Sequence, residues 1–158
     1  MTDNYLQIML ESLEKKLEVL DEVYEINKRQ LEASTKKPFD VEAYDAIMDE
    51  KGRLIDELNR LDDGFTSTYE LVREEVQKNP EQYKEKVLHM QDLVREAVDK
   101  GVSIEAQEKR NKASMEVALS TKRKEVRERK VSADAASKYY TAVSRLNNVD
   151  PQLMDSKK

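Results

Sequence analysis

Residues 3–34, DNYLQIMLESLEKKLEVLDEVYEINKRQLEAS, decide the fold. Leu6, Leu10, Leu13, Leu17, Leu20, Tyr24 and Leu31 follow an alternating four-three spacing, with Asn27 the single polar residue in register. That is the heptad seam of a long helix packed on other helices, and an Asn inside it can fix register or oligomeric state at some cost in stability. Nothing in the stretch interrupts a helix.

The rest of the chain has the same character. Its 158 residues contain three glycines and three prolines, and the prolines at 38, 80 and 151 divide it into runs of tens of residues that suit only helices. Apolar residues make up 38% and charged residues 39%, which fits elongated hairpins burying one stripe each rather than a thick globular core. With no Trp and only Phe39 and Phe65 as Phe, the packing falls to Tyr, Met and Leu.

After Lys36-Lys37-Pro38, Asp40 is placed to cap a second helix, and Phe39 is placed to reach Tyr44 as a hydrophobic staple. The second run reads Val41, Tyr44, Met48, Ile55, Leu58, Phe65, Tyr69, Val72 and Val76, with Lys51 and Asp62 as polar gaps. Gly52 and Gly64 each cost a helix roughly 1 kcal/mol relative to Ala, so a bend is expected at Asp62-Asp63-Gly64, with the register continuing across it. Asn79-Pro80-Glu81-Gln82 predicts the third start, with Asn79 as cap and Pro80 at the first helical position.

Tyr83, Val87, Met90, Val94, Ala97 and Ile104 continue the seam. Beyond Ile104 the apolar pattern thins to Met115, Val117, Leu119 and Val126. A helix from 80 to 130 would run roughly 75 Å, against roughly 50 Å for the first, so its distal end is expected to project past the bundle or pack on something else. Ser132 can cap a further segment whose stripe is Ala136, Tyr139, Tyr140, Val143 and Leu146, before Asp150-Pro151 and a tail carrying Leu153 and Met154. The expected architecture is all-α: an elongated antiparallel bundle or coiled coil of three long helices over residues 1–131, followed by a short amphipathic segment and tail, 132–158, suited to a partner.

Several function classes find no support. There is no Cys, hence no disulfide framework or thiolate metal site, and the sole His89 has no second His beside it. Asp49/Glu50, Asp62/Asp63 and Glu74/Glu75 are adjacent pairs pointing along different azimuths rather than onto one substrate atom. Phosphate-binding glycine loops and Ser/His/Asp sets are missing, so no catalytic residue, metal, cofactor or small-molecule substrate is expected. Neither a signal peptide nor a membrane-length apolar run is evident, and a cytoplasmic protein is expected.

Net charge is -5, but unevenly spread: residues 1–79 carry 11 Lys/Arg against 20 Asp/Glu, and 80–158 carry 17 against 13. Opposite-signed parts favour pairing of the later helix on the earlier ones, or contact between molecules. The run Lys122 to Lys130 holds six positive and two negative charges but no aromatic residue for base stacking, which argues against nucleic acid and for a solvated helix surface or a patch for an acidic protein partner. Met115, Leu119 and Val126, with the stripe and tail from Ala136 to Met154, form the candidate partner surface.

Three stretches carry a resemblance to a known family: Met48-Asp49-Glu50-Lys51-Gly52-Arg53-Leu54-Ile55 with Leu58 and Leu61; Ile104-Glu105-Ala106-Gln107-Glu108-Lys109-Arg110-Asn111; and Tyr139-Tyr140 followed by Val149-Asp150-Pro151-Gln152-Leu153-Met154-Asp155. With the layout of long helices, the chain resembles the FlgN/FliT-like chaperones of flagellar type III secretion, most of all FlgN-like proteins of clostridia. The resemblance implies a small acidic cytoplasmic chaperone that binds terminal helical regions of hook-filament junction (hook-associated) proteins, prevents premature assembly and presents them to the export gate. It also implies cargo contact by the later helices and a gate contact by a C-terminal tyrosine, Tyr139 or Tyr140 by position. The competing readings are a structural coiled-coil adaptor, for which the heptads would equally serve a homodimer, and an RNA-associated helical hairpin.

Overall fold

A computed structural model describes residues 1–121 and Arg123, and these form three long helices with no strand among them. Helix α1 spans Thr2–Thr35, α2 Val41–Lys78 and α3 Lys84–Thr121. Cross-helix bonds give the directions. Arg29 with Glu50 and Lys16 with Asp62 run α1 and α2 antiparallel, while Asp3 with Lys86, Asp21 with Lys100 and Ser34 with Ser114 run α1 and α3 parallel. The result is an up-down-up bundle in which α1 packs closely along both other helices.

The α1–α2 corner forms as its residue types dictate. Asp40 Oδ1 accepts the backbone N–H of Ala43 at 3.1 Å, satisfying a donor that the first turn of α2 would otherwise leave open. Phe39, just before the cap, meets Tyr44 edge-on with ring centroids 5.4 Å apart, the expected staple.

Serving two neighbours changes the seam of α1. The buried positions are Leu6, Met9, Leu13, Lys16, Leu20, Val23, Asn27, Gln30 and Ser34, spaced three-four, with Leu10, Val19 and Ile26 widening the stripe. The expected set is therefore half right: Leu17 and Leu31 are only half-buried, and Tyr24 stands 37% exposed beneath the Lys28 ammonium.

Helix α2 runs unbroken through Gly52 and Gly64 and its register continues across Asp62-Asp63-Gly64, as expected, with Asp62 turned inward to Lys16 and Phe65 buried. One other expectation is corrected. Asn79 ends α2 rather than starting α3: its backbone N–H and its side-chain amide both donate to the Glu75 carbonyl, at 3.1 and 3.2 Å. Residues 80–83 form a turn and α3 starts at Lys84.

The apolar core is layered. One cluster joins Leu6, Met9, Leu10 and Leu13 to Phe65, Tyr69, Val72, Tyr83, Met90 and Val94. A central one joins Val19, Leu20 and Val23 to Ile55, Leu58, Leu61, Ala97 and Ile104. The third, at the α1–α2 corner, gathers Phe39, Tyr44, Met48, Met115 and Ala118.

Candidate functional site

Between the central and corner clusters the core turns polar. Asn27 and Gln30 of α1, Lys51 of α2, and Gln107, Glu108 and Asn111 of α3 are all buried there. They keep α3 docked as far as Ala118, past the point at Ile104 where its apolar pattern thins, because polar side chains take the place of the apolar seam; the end of the run to 130, expected to project or pack elsewhere, lies outside the described residues. Asn27 Nδ2 donates to Gln107 Oε1 at 3.1 Å, and Gln107 Nε2 donates to the Tyr24 carbonyl at 3.0 Å. Asn111 Nδ2 donates to the Asn27 carbonyl and to Gln30 Oε1, and Gln30 Nε2 donates to the Tyr44 hydroxyl at 2.9 Å.

At the centre of this layer Lys51 Nζ donates to Gln30 Oε1 and, at 2.7 Å, to Glu108 Oε1. Lys51 is 0% exposed. Loss of hydration pushes the ammonium down to about 7 and the Glu108 carboxyl up to about 7, each opposed by the attraction of the other. A second buried pair, Lys16 to Asp62 at 2.9 Å, lies between the first cluster and the central one. Such pairs add little net stability but penalise any register that would separate them. The layer bonds side chains of all three helices to one another.

Tyr44 reports on this layer through alkaline pH. Burial raises its phenol from 10.0 to about 12, so the native chain keeps a proton that the unfolded chain releases above pH 10. The stabilisation is complete below pH 10 and is lost as pH rises toward 12. Wild type should therefore lose on the order of 2 kcal/mol across that window relative to Tyr44→Phe, read from urea unfolding at pH 9 and pH 11.5. A constant difference between the two would mean that the phenol ionises as freely as in water.

The surface offers a different kind of feature. Where α2 ends and α3 begins lies an open cleft of about 580 Å³, lined by Tyr69, Val76, Pro80, Val87 and Leu88 together with Arg73, Gln77, Glu81, Lys84 and Gln91. Leu88 is 50% exposed there. A smaller depression of about 330 Å³ between α1 and α2 is lined by Asp21, Glu22, Glu25, Arg29 and Glu50 around Ile26 and Leu54. Val76 and Val87 stand on the expected seams, but their service to a cleft was not apparent, and Leu88 lies off the seam altogether.

Of the residues expected to meet a partner, Met115 is buried in the corner cluster and Leu119 packs half-buried against it. Val126, Ala136, Tyr139, Tyr140, Val143, Leu146, Leu153 and Met154 lie outside the described residues. His89 is exposed, and no cluster of metal-ligating side chains occurs among the described residues. No described helix is long and apolar enough to cross a membrane. No family model, curated protein or solved structure matches the chain.

Proposed function

We propose that this protein is an export chaperone of the FlgN/FliT-like kind, which holds a terminal helix of a hook-filament junction protein in the cytoplasm, prevents its assembly and delivers it to the export gate. The observation that carries the reading is the open cleft at the α2–α3 turn, where Tyr69, Val76, Val87 and Leu88 supply apolar lining among polar residues. An amphipathic helix buries its apolar face in such a groove. Covering a few hundred Å² at about 25 cal/mol/Å² yields several kcal/mol gross, most of it offset by ordering and association, so binding is reversible as export requires. The C-terminal stripe, with Tyr139 or Tyr140, supplies the gate contact on this reading, together with part of the cargo contact.

The coiled-coil adaptor reading loses support because the α1 heptads are spent inside one molecule, with Asn27 bonded to Gln107 of the same chain. Calorimetry with a hook-filament junction protein tests the proposal. Wild type should bind, Leu88→Asp should bind at least tenfold more weakly with an unchanged melting temperature, and deletion of residues 132–158 should abolish gate capture while leaving the bundle's melt in place. A wild type that captures no such protein would end the reading. Equal cargo affinity of wild type and Leu88→Asp would remove the cleft from it.

A further inference from the structure

Helix α3 is held to the bundle in two different ways along its length. Over residues 90–104 its buried side chains are Met90, Val94, Ala97 and Ile104, and Leu93 and Val98 pack half-buried beside them. Over residues 107–118 they are Gln107, Glu108, Asn111, Met115 and Ala118, of which the last two alone are apolar. The bonds that tie this second stretch to α1 and α2 include Asn27 to Gln107, Asn111 to the Asn27 carbonyl and to Gln30, Lys51 to Glu108 at 2.7 Å, and Ser34 with Ser114 at 2.6 Å.

The two kinds of contact respond differently when the helix lifts away. A polar side chain trades its bond for one to water, so its net hold is small, whereas a buried apolar side chain finds no substitute there. For Lys51 and Glu108 lifting also restores the hydration that burial took from both, which offsets the attraction they lose. The α1–α2 hairpin beneath has ties of its own: Gln30 to the Tyr44 hydroxyl at 2.9 Å, Arg29 to Glu50 at 3.1 Å, the Phe39–Tyr44 ring contact and the Asp40 cap involve no residue of α3.

We infer that residues 107–118 of α3 open as one unit, parting from a closed α1–α2 hairpin while the helix below Ile104 stays docked. The open form keeps the two apolar clusters nearer the α2–α3 turn and bares the side of the corner cluster that Met115 and Ala118 complete. The chain thus has a second form, reached without unfolding the bundle. This device is independent of the cargo proposed for the cleft, and of whether the chain serves flagellar export.

Hydrogen exchange of the full folded chain, followed amide by amide by NMR in increasing urea below the unfolding transition, tests it. In wild type the amides of residues 107–118 should exchange at least tenfold faster than those of 90–97. They should share one urea dependence, shallower than that of 90–97, because opening the unit exposes less surface than unfolding the whole chain. Val94→Ala should speed exchange at 90–97 at least tenfold and leave 107–118 unchanged, since Val94 stays docked in the open form. Ser34→Cys with Ser114→Cys, oxidised to a disulfide in a chain that has no other cysteine, should slow 107–118 at least tenfold, and reduction should restore the faster rate. The inference fails if 107–118 exchange with the rate and urea dependence of 90–97, or if Val94→Ala speeds both sets alike, since the helix then opens as one piece with the bundle. It fails equally if exchange merely grades residue by residue toward Thr121 without urea dependence, which is fraying of a helix end, or if the disulfide leaves 107–118 as fast as before.

Discussion

Glu108→Leu should destabilise the protein by about 3–5 kcal/mol, whereas the double change Lys51→Met with Glu108→Leu should return it to within about 1 kcal/mol of wild type or above it. The single substitution takes the carboxylate from an ammonium that is 0% exposed and that also donates to Gln30 Oε1. Burial already pulls Lys51 down to about 7, so loss of the carboxylate should drive it to the neutral amine and leave a polar group imperfectly satisfied. In the double variant two apolar side chains fill the space between the central and corner clusters, and no charge has to be desolvated. Urea unfolding of wild type, both single variants and the double closes the cycle. A single variant within about 1 kcal/mol of wild type would show that the layer is hydrated in solution. A double variant as unstable as the single would show that the bonds of Lys51 and Glu108 to their neighbours outweigh the cost of burying them.

The pair also shows where sequence reading runs out. Three helices, the Asp40 cap and the Phe39–Tyr44 staple could be read directly, because each depends on residues within one turn of one another. The polar layer depends on residues from three helices. Lys16 and Gln30 occupy interior positions of α1 and break the apolar pattern there, so the eye moves to Leu17 and Leu31, one residue along, and the seam is read on a neighbouring azimuth. The same substitution of polar for apolar at Gln107, Glu108 and Asn111 makes the distal part of α3 look unpacked. The three-four spacing of Ile104, Gln107, Asn111, Met115 and Ala118 was present in the sequence. What it lacked was the knowledge that Asn27, Gln30 and Lys51 would stand opposite.

The cleft escaped for a different reason. Hydrophobic periodicity finds the stripe a helix buries in its own bundle, and Leu88 belongs to another azimuth, where a single apolar residue ordinarily carries no meaning. The cleft it lines with Tyr69, Val76 and Val87 gives it one. Asn79 illustrates the same limit locally. Asn before Pro is a good helix start, but Asn is also a good helix end, and here the Glu75 carbonyl takes it.

Leu58→Asp should leave no folded protein at neutral pH, while His89→Ala should melt within about 0.5 kcal/mol of wild type. Leu58 is 0% exposed in the central cluster, among Val19, Leu20, Val23, Ile55, Ala97 and Ile104, with no polar side chain in that cluster to receive a carboxylate. Loss of the leucine alone costs about 2–5 kcal/mol, and an unpaired buried charge adds several more, a total comparable with the roughly 5–15 kcal/mol that holds a domain of this size together. Burial would raise the introduced carboxyl above its ordinary value, so the native state would hold a proton the unfolded chain releases. The penalty from charge should therefore shrink as pH falls toward 4, and partial recovery of helicity there separates charge burial from simple loss of packing. Leu13→Asp should behave alike, its leucine being 3% exposed beside Phe65 and Met90. His89 is exposed, and its removal leaves the core seam through Met90 and Val94 intact. Far-UV circular dichroism melts of the three variants at pH 7 and pH 4 give the comparison. A cooperative melt for Leu58→Asp at pH 7 would mean that the central layer opens enough to hydrate a carboxylate, and a large loss in His89→Ala would reopen that histidine as part of a site.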